Sequence, residues 1–224
     1  MLWGTIVNAI AILIGASLGM ILKLKSSMRN TIMQGLGLVT IIIGIKMGLA
    51  HANILIPIAS LVFGGLVGEA LQLDERLTNL GNLLAKGKSN TDSNQFIQGF
   101  VTATLVYCVG AMAVIGALEG GLQGTHDTLY AKAMLDGVSA IFFASSFGIG
   151  VAFAAIPVFV YQGLIAIFAS FLEPLFHAAA IAEMTATGGM LIVGIGLNIL
   201  GITKISVGNL LPSLLVAILL SMVF

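Results

Sequence analysis

At 224 residues, 58% hydrophobic and only 8% charged, the chain has too few charges to coat a water-facing domain, in which about a quarter of residues are charged. Nine basic and nine acidic residues cancel, which leaves no basic footprint for nucleic acid. The composition points to an integral, all-α membrane protein with several spans.

A span needs roughly 20 apolar residues. Eight segments meet this and are predicted helices: 3–22, 31–50, 53–72, 96–118, 133–155, 157–176, 185–202 and 206–224. The first has no positive stretch before its apolar run, and Lys23, Lys25 and Arg29 follow it. That layout predicts an uncleaved first helix with its N-terminus outside. Between Leu135 and Phe176 the apolar run is long, and Pro157 is the natural place to divide it. Pro212 falls early in the last segment, where a missing N–H costs least.

Residues 73–95 are the longest polar stretch. Leu77, Leu80, Leu83 and Leu84 recur at helical spacing and predict a short interfacial helix. KSNTDSN after them reads as a flexible loop. No second domain is evident, so residues 1–224 form a single transmembrane domain. With eight helices, Lys23, Lys25, Arg29, Arg76, Lys86, Lys88 and Lys204 fall on one side and Lys132 on the other. The positive-inside rule then puts both termini outside.

Two glycine-punctuated stretches echo one another: QGLGLVTIIIGIKMGLAHANILIP at 34–57 and TATGGMLIVGIGLNILGITKISVGNLLP at 185–212. Aligned, Gly37 matches Gly189, Ile43 matches Ile195, Gly44 matches Gly196 and, after a small gap, Pro57 matches Pro212. The echo is five helices later, so it crosses in the opposite sense. An inverted repeat with halves 1–72 and 157–224 is one reading; shared use of Gly and Ile is the other. Gly15 and Gly19, Gly44 and Gly48, Gly64 and Gly68, and Gly116 and Gly120 are spaced for close helix packing.

Charges inside spans are functional suspects. Lys46 lies near the outer end of the second segment, either snorkelling to the surface or facing the interior beside a carboxylate. Glu119, Asp136 and Asn8 fall at similar depth and could complete an outer vestibule with it. By the echo, Lys46 corresponds to Asn198 at the mirrored depth, and Glu69 could serve an inner vestibule. Glu183 is expected at an outer boundary, and His51, His126 and His177 read as solvated loop residues without metal-ligand spacing. Cys108 has no partner for a disulfide. No nucleophile–base arrangement stands out, so no enzyme is expected.

TATGGMLIVGIGLNILGITKISVGNLLP, with GTIVNAIAILIGASLG, GGLVGEALQLDERL and DGVSAIFFASSFGIGVAF, resembles the YqgA/YdfK-like bacterial membrane proteins (domain of unknown function 554) over nearly the whole chain. The resemblance implies a polytopic helical bundle in the bacterial inner membrane and carries over no established site residues. The sequence thus predicts a transporter or channel for a small solute or ion. The alternative is a non-transporting scaffold or sensor acting through loop 73–95. The expected partners are the lipid bilayer, a small solute or ion and, as an option, further copies of the chain. No cofactor, metal or nucleic acid is expected.

Overall fold

The computed structural model describes residues 1–22, 26–84, 90–108 and 111–223. Among them every regular element is helical. In chain order these are α1 (Trp3–Ile21), α2 (Ser26–Gly48), α3 (Leu55–Ala70), α4 (Leu73–Leu84), α5 (Asn90–Cys108), α6 (Ala111–Leu122), α7 (Asp127–Phe147), α8 (Gly150–Phe153), α9 (Ala155–Ile167), α10 (Ala169–Leu172), α11 (Ala178–Ile199) and α12 (Ser213–Ser221). Short 3₁₀ turns cover Glu173–Leu175 and Val207–Leu210.

Four described stretches are long and apolar enough to cross a membrane: Trp3–Ile21, Asn30–Gly48, Gly150–Ile167 and Ala178–Ile199. Two bent pairs bring the count to six if each is one crossing. They are Leu55–Ala70 with Leu73–Asn79, bent by 53°, and Gln95–Cys108 with Ala111–Leu122, bent by 61°. The outer faces suit lipid rather than water. Ile10, Leu13, Ile14, Leu18 and Ile21 of α1 are all exposed, as are Leu38, Val39, Ile42 and Ile45 of α2, and rows of large apolar side chains of this kind mark membrane or partner surfaces.

The long apolar run divides at Gly148, not at Pro157. Gly148 has φ +73° and its N–H bonds the Ala144 carbonyl, closing α7. A side chain there would strain the backbone, so glycine makes the natural stop. Pro157 sits in the first turn of α9, where the helix has little use for the N–H that proline lacks. The expected KSNTDSN loop is shorter than read: α5 begins at Asn90, and Asn, Thr, Asp and Ser suit a helix start. Residues 85–89 lie outside those described.

The chain forms two compact units. The first comprises Met1–Met33, Leu80–Cys108 and Met112–Glu173. In it α1 and α7 run parallel: Gly4 meets Leu129, Gly15 meets the Gly137 carbonyl and Gly19 meets the Ile141 carbonyl. A Cβ on Gly15 or Gly19 would run into α7 backbone, so glycine sets this approach. α5 runs antiparallel to α7, with Gly99 against Phe147 and Tyr107 beside Phe143.

The second unit comprises Gln34–Asn79, Val109–Ala111 and Pro174–Phe224. Here α2 and α11 pack antiparallel through glycines, with Gly37 against Gly196 and Leu200 and Gly44 against Gly189 and Val193. α3 meets the last segment in the same antiparallel sense: Gly64 touches Ser213 and Gly68 touches Asn209.

Candidate functional site

In the first unit, the face of α1 that α7 covers carries Thr5, Asn8, Ile12, Gly15 and Gly19, three or four residues apart. Most of that stripe is apolar or small. Asn8 and Thr5 are polar and fully buried. Opposite them, α7 presents Lys132 and Asp136 one turn apart, each 6% exposed, and α9 contributes Gln162, fully buried.

These side chains converge. Lys132 Nζ lies 2.8 Å from Asp136 Oδ2 and donates to Oδ1 at 3.0 Å. Asn8 Nδ2 donates to Asp136 Oδ2 at 3.1 Å and to Gln162 Oε1 at 3.4 Å. Nearby, Ser139 Oγ donates to the Asp136 backbone carbonyl at 3.0 Å and stands 3.5 Å from the buried Tyr107 hydroxyl. Burying two opposite charges costs several kcal/mol each, which is offset only when they pair closely and their remaining atoms are satisfied. Here the pairing is close but the satisfaction is incomplete. Asn8 Oδ1, Gln162 Nε2 and Thr5 Oγ1 are buried with no hydrogen-bond partner. A group of free donors and acceptors around an ion pair can solvate a polar guest.

The structure thus brings two sequence candidates together, Asn8 and Asp136, and pairs Asp136 with Lys132, a cation that precedes the predicted fifth segment. The apolar run begins only after Lys132, whereas α7 starts at Asp127 and encloses it. Gln162 carried only a faint signal, one amide in the run VFVYQGLIAI.

The other candidates are not among these contacts. Lys46 is exposed in the last turn of α2, where a cation favours the helix's negative end. Glu119 is half-buried on α6. Asn198 braces the turn after α11: its Nδ2 donates to the Ile205 carbonyl at 2.8 Å, and its Oδ1 accepts from Thr203 Oγ1 and Ile205 N, both at 2.9 Å. Glu69 accepts from Asn209 Nδ2 at 2.6 Å. Asn209 Oδ1 in turn accepts from Asp74 N at 2.7 Å, and Asp74 Oδ1 accepts from Gly208 N at 3.1 Å. That chain of bonds ties α3 and α4 to the 3₁₀ turn.

Glu183 departs most from its sequence reading. It lies inside α11, 1% exposed rather than at a boundary. Its Oε1 accepts the Ala52 and Asn53 N–H groups at 2.8 and 2.7 Å, just before α3. Nor are all the histidines solvated: His51 and His126 each have a buried Nδ1 without a partner. Among the described residues no group of three or more His, Cys, Asp or Glu could hold a metal ion.

The family described as "Protein of unknown function (DUF554)" matches residues 3–222. The chain belongs to the DUF554 family. This DUF554 protein is 36% identical over 221 residues to the "Uncharacterized membrane protein YdfK" of Bacillus subtilis (strain 168), an alignment covering 96% of this chain and 93% of that relative. It is 32% identical over 227 residues to the "Uncharacterized protein YqgA" of Escherichia coli (strain K12), covering 99% and 97% respectively. No solved structure matches the DUF554 chain.

Proposed function

We propose that this DUF554 protein is a multi-pass transporter or channel for a small polar solute or ion in the bacterial inner membrane, and that the Asn8–Lys132–Asp136–Gln162 cluster is its binding site. The buried ion pair ringed by unpartnered amide and hydroxyl groups carries this reading. Ionisable residues in the middle of apolar helices are costly, and substrate and ion pathways are where they are retained. A purely structural pair would be expected to have its surrounding donors and acceptors satisfied.

The topology behind this reading is eight alternating crossings with both termini outside: α1, α2, α3–α4, α5–α6, α7, α8–α9, α11, and the last 3₁₀ turn with α12. Helix directions within each unit support it. Segments one and five run parallel, four and five antiparallel, two and seven antiparallel, and three and eight antiparallel. Strict alternation requires each of these relations.

An inverted repeat also fits the second unit. Under the match of Gly37 to Gly189 and Gly44 to Gly196, the contact of Gly44 with Gly189 becomes that of Gly196 with Gly37. In the same way, Gly44 with Val193 becomes Gly196 with Ile41, and Gly37 with Leu200 becomes Gly189 with Gly48. Contacts that exchange in this way are what a pseudo-two-fold axis between repeats generates.

The test is swelling of proteoliposomes in iso-osmotic glycerol, urea, glycine and potassium chloride. The wild-type protein should admit at least one of these faster than empty liposomes, and Asp136→Asn should lose that permeability. Equal permeability of Asp136→Asn and wild type would remove the cluster from the pathway.

A further inference from the structure

The second unit holds a polar centre of its own. Glu183 is 1% exposed. Its Oε1 is held by two backbone N–H groups, which fixes the carboxyl group in place. Its Oε2 is buried and has no hydrogen-bond partner. Thr187 follows one helical turn later, on the same face of α11. It is fully buried, and its Oγ1 is likewise without a partner.

Residues Ala186–Gly189 of α11 lie against Gly44–Gly48, the last turn of α2. Glu183 Oε2 and Thr187 Oγ1 are thus two buried oxygens one turn apart on α11, and no side-chain donor reaches Oε2. A bare carboxylate oxygen in such surroundings is strongly unfavourable unless a cation or a proton meets it.

We infer that Glu183 Oε2 and Thr187 Oγ1 form part of a binding site for a monovalent alkali cation. The donor set selects the class of ion. Both of these side-chain atoms are hard oxygens, which suit alkali and alkaline-earth ions rather than soft metals. A single carboxylate supplies one negative charge, whereas divalent sites such as those for calcium gather several. The site links α11 to the residues that begin α3, so an ion there would tie these helices together.

Thermal unfolding of the full-length protein in detergent tests this inference, and flux plays no part in the readout. Lithium, sodium, potassium and rubidium chlorides are titrated against choline chloride at constant ionic strength. At least one alkali ion should raise the melting temperature saturably above the choline curve. Glu183→Gln keeps a carbonyl oxygen for the two N–H donors and should abolish the ion-specific rise. Thr187→Val, nearly isosteric, should move the midpoint to several-fold higher ion concentration. Curves identical to choline for every ion would overturn the site, as would a full response in Glu183→Gln. If Glu183→Gln does not fold, an unchanged midpoint in Thr187→Val overturns it instead. Either failure leaves the flux proposal for the first unit intact.

Discussion

The two units use polar residues in opposite ways. In the first, Asn8, Lys132, Asp136 and Gln162 project from the interiors of three helices and bond one another, side chain to side chain. In the second, Asn198, Asp74, Glu69 and Asn209 cluster near helix ends and mostly hold backbone groups of turns. Polar groups at helix ends satisfy donors and acceptors that every helix leaves open, so their presence needs no further role. Polar groups in mid-helix satisfy nothing the helix itself requires. That contrast separates a site from a clamp, and it places Glu183 between the two, with one oxygen clamping a loop and the other free.

The comparison can be broken by substitution, and the largest effect belongs to the first unit. Asp136→Ala leaves Lys132 buried and uncompensated and should cost about 3–5 kcal/mol, read as a large fall in melting temperature in detergent. In the second unit, Gly44→Val and its repeat-equivalent Gly196→Val each force a side chain against the facing helix. Each should cost about 1–3 kcal/mol or more. The two losses should be alike if the helices are related by a two-fold axis, and markedly unequal losses would count against the repeat. Asn198→Ala removes the brace of one turn and should cost about 1–3 kcal/mol while leaving permeability unchanged. Lys46→Met, at an exposed position, should shift stability by no more than about 0.5 kcal/mol and leave permeability unchanged. Lost permeability in Lys46→Met would return Lys46 to the pathway and weaken the division drawn here.

Much of the architecture was legible because apolar length and glycine spacing are local signals. The stretch 3–22 became α1, and the glycine pairs at 15 and 19 and at 64 and 68 do set close helix contacts. The site was harder to read, since burial depends on which residues face each other. Lys132 looked like a loop charge because apolarity begins after it, yet Asp136 four residues on lets the helix carry both inward. Pro157 drew the helix boundary to itself, although a proline early in a helix is no obstacle and Gly148 supplies the turn. Glu183 looked like a boundary residue because its first-turn neighbours, Ala178–Ala180, are too short a run to announce a helix already under way.

The central claim is that the first unit's ion pair serves permeation rather than folding. Replacing both partners together, Lys132→Met with Asp136→Leu, removes the buried charges without leaving one alone. Buried pairs replaced by apolar residues of similar volume are often neutral or stabilising. The decisive measurement is the swelling rate of proteoliposomes carrying this double variant, in whichever solute the wild-type protein admits, alongside its melting temperature. A near-wild-type melting temperature with permeability reduced to that of empty liposomes is the predicted result. A folded double variant that retains wild-type permeability would contradict it.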